Sequence, residues 1–182
     1  MASNPIDEFY LTAPNGATVQ VPAIKEITKR RIQIPDFYKD KKVLIVGDAF
    51  AHESKWLSEH GFKDITSTVK HVREEKIGFP VICDIHSLPF LREEFDFVYC
   101  SHVLEHSIAP MIALKEIHRV LKPEGEALFW MPYADVSQEE LYHYSCFRPY
   151  IWKNLILKSK FTITKEEDYP PRNEYGYWVK KI

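Results

Sequence analysis

From Lys42 onward, short uninterrupted apolar runs alternate with segments whose apolar side chains recur every three or four positions. Val43-Leu44-Ile45-Val46 reads as a strand buried on both faces, as the central strands of a parallel sheet do. Gly47 ends it. Residues 51–60 read as a helix with Trp56 and Leu57 inward and Gly61 as its stop. A more polar strand at 65–69, a helix or loop from His71, and strands at 81–83 and 95–100 follow. The clearest helix is 110–121: Pro110 suits a first helical position, and Ile112, Ala113, Ile117, Val120 and Leu121 lie along one face before Pro123 and Gly125 end it. Next come a strand at 127–131, a loop rich in Tyr and His, a helix at 150–159, and strands at 161–165 and 175–179. This alternation predicts a doubly wound, mostly parallel α/β sheet with helices on both faces.

Upstream of Lys42 the pattern is looser. Residues 8–21 predict a hairpin, because Phe9, Leu11, Val19 and Val21 flank the turn-forming Pro14-Asn15-Gly16. Residues 24–38, interrupted by Pro35, predict a short helix and a connector. A chain of 182 residues fits one domain, with 1–40 as N-terminal hairpin and connector and 41–182 as the core. Its formal net charge is −2, and its one dense basic run, Lys29-Arg30-Arg31, reads as a solvated helix face, so nucleic acid is not an expected partner. No stretch approaches the ~20 apolar residues of a membrane span, and the start MASNPIDEFY has no secretory pattern, which predicts a cytoplasmic protein. Cys83, Cys100 and Cys146 fit neither a disulfide framework nor a CxxC metal site.

Residues 83–132 carry an ordered set of motifs. Asp84 closes a strand, Leu88-Pro89-Phe90 makes a turn, and the 95–100 strand leads to Leu104-Glu105-His106. The amphipathic helix, Leu121-Lys122-Pro123-Glu124-Gly125 and a further strand complete the set. This order resembles the second half of the class I S-adenosylmethionine-dependent methyltransferases, particularly small ones similar to the ubiquinone and menaquinone C-methyltransferases. The resemblance runs from residue 41 to about 182 and is strongest over 83–132. It implies a Rossmann-like fold, S-adenosylmethionine as cofactor and methyl transfer as activity.

In an open α/β sheet the ligand lies beyond the carboxyl ends of the strands. The resemblance therefore places the cofactor against Gly47, Asp48, Ala49 and Phe50 after the first strand, Val69 and Lys70 after the second, Asp84 and Ile85 after the third, and Ser101 and His102 after the fourth. Ala49 and Ala51 stand where the family usually has further glycines, and Ile45 where an Asp is common. A positive φ at Ala49 would cost of order 1 kcal/mol. Asp48 either attracts the sulfonium or caps the following helix. Neither Val69 nor Lys70 can accept hydrogen bonds from ribose hydroxyls, as the acid usual at that place does. Two readings stay open: a methyltransferase acting on a small molecule or a saccharide-type hydroxyl, or a degenerate domain serving as a non-catalytic binding or scaffolding module.

His102, Glu105 and His106 spell H-x-x-E-H, a spacing also found in zinc peptidases. A zinc site built on His102 and His106 needs a third ligand on a long helix, and Pro110 follows within a turn, so no metal is expected. His106 reads as structural or substrate-facing. His143, in a loop that resembles the His-rich loop of some related small methyltransferases, reads as a proton acceptor for a hydroxyl, or as one member of an ordinary amphipathic lid with Tyr142 and Tyr144. His143 and His106 are thus the candidate catalytic residues.

Overall fold

The computed structural model describes residues 9–12, 18–21, 32, 34–49, 51–71, 80–133, 143–169 and 173–182. The hairpin forms as the sequence predicts: β1 (Phe9–Thr12) pairs antiparallel with β2 (Thr18–Val21) in a sheet of its own. Within the predicted helix region 24–38, the described residues contain only a short 3-10 turn, Asp36–Tyr38, beginning after Pro35. Pro35 has the extended backbone that suits the start of such a turn, and residues 24–31 and 33 lie outside the described set.

A seven-stranded sheet organises the rest, in the order β5-β4-β3-β6-β7-β9-β8. Its strands are β3 (Lys42–Val46), β4 (Asp64–Val69), β5 (Val81–Ile82), β6 (Phe95–Ser101), β7 (Leu121–Pro132), β8 (Phe161–Tyr169) and β9 (Glu174–Lys181). The helices are α1 (His52–Glu59), α2 (Pro110–Val120) and α3 (Pro149–Lys158). β3 through β7 pair in parallel, while β9 inserts antiparallel between β7 and β8. The chain runs outward from β3 through β4 to β5 and then returns to β6 on the other side of β3. That reversal opens a crevice beyond the carboxyl ends of β3 and β6, the place where such sheets bind ligands.

Strand alternation sorts the apolar runs onto two faces. Leu44, Val46, Val98, Cys100, Phe129 and Met131 meet Ala113, Leu114 and Ile117 of α2 and Trp152 and Ile156 of α3. On the other face Val43, Ile45, Phe97, Tyr99, Leu128 and Trp130 meet Leu57 of α1 and the segment carrying Ile32, Ile34 and Tyr38. Leu57 is buried as predicted, whereas Trp56 is half-buried and stacks on His60 at 3.7 Å. On α2 the buried stripe contains Leu114 in place of the predicted Ile112, which is 51% exposed.

The β7 boundary also differs from the expectation. Lys122-Pro123-Glu124-Gly125 reads in sequence as a helix stop, yet the strand starts at Leu121. Phe95 pairs with Leu121 and Phe97 with Glu126, so the intervening residues form a bulge in which Glu124 takes φ 63°. Bulges admit extra residues into a ladder without ending it. β8 and β9 likewise extend past the predicted 161–165 and 175–179, because they pair with each other along nearly their whole length.

Arg119 joins α2 to the turn after β5. Its guanidinium donates to the carbonyls of Leu88 and Phe90 at 2.8 Å each and to both carboxylate oxygens of Glu116, whose Oε2 also accepts from the Leu88 N–H. The Arg119 hydrogen bond holds the Glu116 carboxyl below its usual range, opposed by partial desolvation. Hydrogen bonds to charged groups contribute about 1.5–3 kcal/mol. Arg119→Ala is therefore expected to lower unfolding stability by that order, read by urea denaturation. A change below 0.5 kcal/mol, the usual bound for inert surface positions, would mean the fork is not coupled to folding.

Candidate active site

The loop after β3 is built by Gly47. Its φ is +82°, and a Cβ there would lie 2.2 Å from Val103 Cγ2, so both conformation and space require glycine. The Gly47 and Asp48 N–H groups donate to the Thr68 carbonyl at 2.9 and 3.0 Å, and the Ala49 N–H to the Gly47 carbonyl at 2.8 Å. These three donors are thus committed within the protein. Ala49 does not take a positive φ; the left-handed residue is Ala51, at φ 54°, immediately before α1. The strain anticipated at Ala49 falls two residues later.

Asp48 is 2% exposed. Its Oδ2 accepts from the Ser54 N–H at 3.2 Å, so it caps the first turn of α1 from outside. Among the described residues its Oδ1 accepts no hydrogen bond. A buried carboxylate oxygen left in this state suits a cationic group. Phe50 lies outside the described residues.

Val69 is buried and offers its carbonyl to Cys83 N–H, while Lys70 reaches over the surface to within 3.8 Å of Asp84 Oδ2. Asp84 accepts from the backbone N–H of His86, and this bond, the His86 ring and Lys70 together hold its carboxyl below the usual range against partial desolvation. The His86 ring bridges Asp84 Oδ1 and Ser107 Oγ. The Ser107 carbonyl accepts from Ser145 Oγ at 2.7 Å, and the Ser145 N–H donates to the Glu105 carbonyl at 2.9 Å. These links tie the loop after β5, the turn after β6 and the segment before α3 into one rim. Ile85 packs on the core beneath it.

The turn after β6 holds most of the titratable groups. Ser101 is the last residue of β6, and His102 follows at φ 53°. Leu104–His106 then forms a single 3-10 turn. The His102 ring lies between two buried carboxylates, Nε2 2.8 Å from Glu174 Oε2 and Nδ1 3.3 Å from Glu105 Oε1. Glu174 and Glu105 are 0% and 1% exposed. His106 and His143 meet edge to face with ring centroids 4.5 Å apart. The structure therefore brings together the two histidines singled out from the sequence, and turns His102 away toward Glu174. Glu174 carried no local signal, since it is 72 residues from its partner and enters only with β9. Val103 and His86 lie in strand-end segments that face the crevice, but neither was given a role, because an apolar residue and a loop histidine have many unrelated uses.

The sheet order, with a switch point between β3 and β6, is that of the class I methyltransferase fold. A family model described as "Methyltransferase domain" matches residues 52–129. The chain is 30% identical over 71 residues to the tRNA U34 carboxymethyltransferase of Campylobacter curvus, covering 39% of this chain and 24% of that one. It is 42% identical over 45 residues to the demethylmenaquinone methyltransferase of Chlamydia muridarum, covering 25% and 20% respectively. The matched stretches thus span about a quarter and a fifth of these relatives' lengths. An S-adenosylmethionine-dependent methyltransferase from Mesorhizobium loti superposes with a TM-score of 0.69 at 13% identity, covering 87% of this chain and 98% of that one. The resemblance stated from residues 83–132 and the α/β fold both stand. Among the described residues, no helix is long and apolar enough to cross a membrane.

Proposed function

We propose that this chain, as a single domain, binds S-adenosylmethionine in the crevice beyond β3 and β6 and methylates a hydroxyl of a small-molecule or saccharide-type acceptor. The observation that carries the reading is the buried Asp48 carboxylate with an unsatisfied oxygen, next to a glycine turn at the switch point of the sheet. S-adenosylmethionine, when bound, supplies a methyl carbon activated by its sulfonium. Asp48 attracts the cationic end of the cofactor, Gly47 keeps the loop low, and Asp84 with Ile85 borders the adenine side. Lys70 at the second strand end offers no acceptor to the ribose. On the acceptor side His143 would receive the proton of the acceptor hydroxyl, with His106 facing the substrate beside it. Methyl transfer asks mainly for alignment and exclusion of water. The three free thiols, Cys83, Cys100 and Cys146, suit the cytoplasmic setting this reading adopts.

A scaffolding module is the second reading, favoured by Lys70 in place of an acid and by the left-handed Ala51. Calorimetric titration with S-adenosylmethionine and S-adenosylhomocysteine separates the two. Micromolar binding is expected. Asp84→Ala, which removes a charged acceptor contributing about 1.5–3 kcal/mol, should weaken it about tenfold to a hundredfold. No heat up to millimolar ligand would leave the scaffold as the working reading.

A further inference from the structure

We propose that Glu105, His106 and His143 form a site for one divalent transition-metal cation of the zinc or manganese class. The three residues place a carboxylate oxygen and one nitrogen from each ring within 4.8 Å of one another. Their burial grades from the buried Glu105 through the half-buried His143 to the exposed His106, so the cluster has a closed floor and an open mouth. This trio is distinct from the His102 and His106 pair suggested by H-x-x-E-H, since the His102 ring spans the two buried glutamates.

Glu105 carries the argument. It is 1% exposed, and among the described residues neither carboxylate oxygen accepts a hydrogen bond; its ionic neighbour is His102 Nδ1 at 3.3 Å. A buried carboxylate with that much unused acceptor capacity is costly unless a cation meets it. Two imidazoles and one carboxylate suit borderline transition ions better than magnesium or calcium, which prefer all-oxygen surroundings. Bonds of about 2.0–2.2 Å require ligand atoms about 3–3.5 Å apart, so the trio must draw in by about 1–2 Å. The backbone is already pinned for this, because Ser145 N–H holds the Glu105 carbonyl and Ser145 Oγ holds that of Ser107, two residues from His143 and one from His106. His102, braced by Glu174, orients the carboxylate from behind, as the supporting partners of metal ligands do.

Three protein ligands leave coordination positions for an acceptor oxygen. A cation there would lower the pKa of a bound hydroxyl so that its proton passes to water, replacing the proton acceptance assigned above to the His143 imidazole. The site itself does not depend on methyl transfer.

The test uses the full chain, stripped with chelator, incubated separately with zinc, manganese and magnesium chloride, dialysed and analysed for metal. One equivalent of zinc or manganese per chain is expected. Glu105→Gln and His143→Ala should each weaken retention at least about tenfold, with near-ultraviolet circular dichroism confirming that each is folded. His143 lies on a loop, so its variant remains informative if the buried Glu105 variant does not fold. No stoichiometric retention, retention unchanged in His143→Ala, or retention of magnesium alone would overturn the assignment. Titrating the same stripped and loaded samples with S-adenosylmethionine reads the methyltransferase proposal separately, since metal retention requires no cofactor.

Discussion

Gly47→Ala should abolish measurable S-adenosylmethionine binding and lower stability. The left-handed conformation at φ +82° costs an L-residue about 1–2 kcal/mol. The added methyl would also sit 2.2 Å from Val103 Cγ2, and overpacking of that kind costs about 1–3 kcal/mol. Relief comes either from Val103 moving off the loop or from the loop moving off β4, where the Gly47 and Asp48 N–H groups hold it to Thr68. Movement of the loop shifts Asp48 with it. Val103→Ala added to Gly47→Ala should recover the packing part of the stability loss and leave the conformational part. Thermal denaturation of the two single variants and the double variant checks this. If the double variant is no more stable than Gly47→Ala, the steric account is wrong and only φ matters.

His102→Ala is expected to be the most destabilising substitution at the site. It leaves Glu174 and Glu105, both fully buried, without the ring that lies between them. A buried charged group that loses its hydrogen-bond partner costs about 3 kcal/mol or more, because the charge stays desolvated. Each kcal/mol lowers the midpoint of a chain this size by about 2–4 °C. A neutral amide needs no counter-charge, so Glu174→Gln should restore part of the loss in the His102→Ala background while destabilising the unsubstituted chain. Additive losses in the double variant would show that the bridge carries no coupling.

How legible the molecule was depended on how local each signal is. Val43-Leu44-Ile45-Val46 and 95–100 read as strands because central parallel strands are buried on both faces. The Leu121 start of β7 was hidden because Pro123 and Gly125 favour the end of a helix, and only the neighbouring strand shows that they form a bulge. Ile112 misled because the periodicity of α2 admits two adjacent stripes, and packing on β7 and α3 selects the one with Leu114. His106 and His143 were singled out because each sits in a recognisable local motif, and the fold brings the two together. The pairing of His102 with Glu174 was not, since it exists only after β9 has inserted between β7 and β8.

That insertion also governs the order of assembly. β8 precedes β9 in the chain but joins the sheet only along β9, so its place depends on β9 docking on β7. Glu174, the first residue of β9, arrives opposite Pro132 in that same event and meets His102. Completion of the crevice thus depends on the same strand that carries the edge of the sheet. A fluctuation that peels β9 from β7 disarms the crevice while β3 to β7 stay paired, so hydrogen exchange along β9 should report how often the site is open.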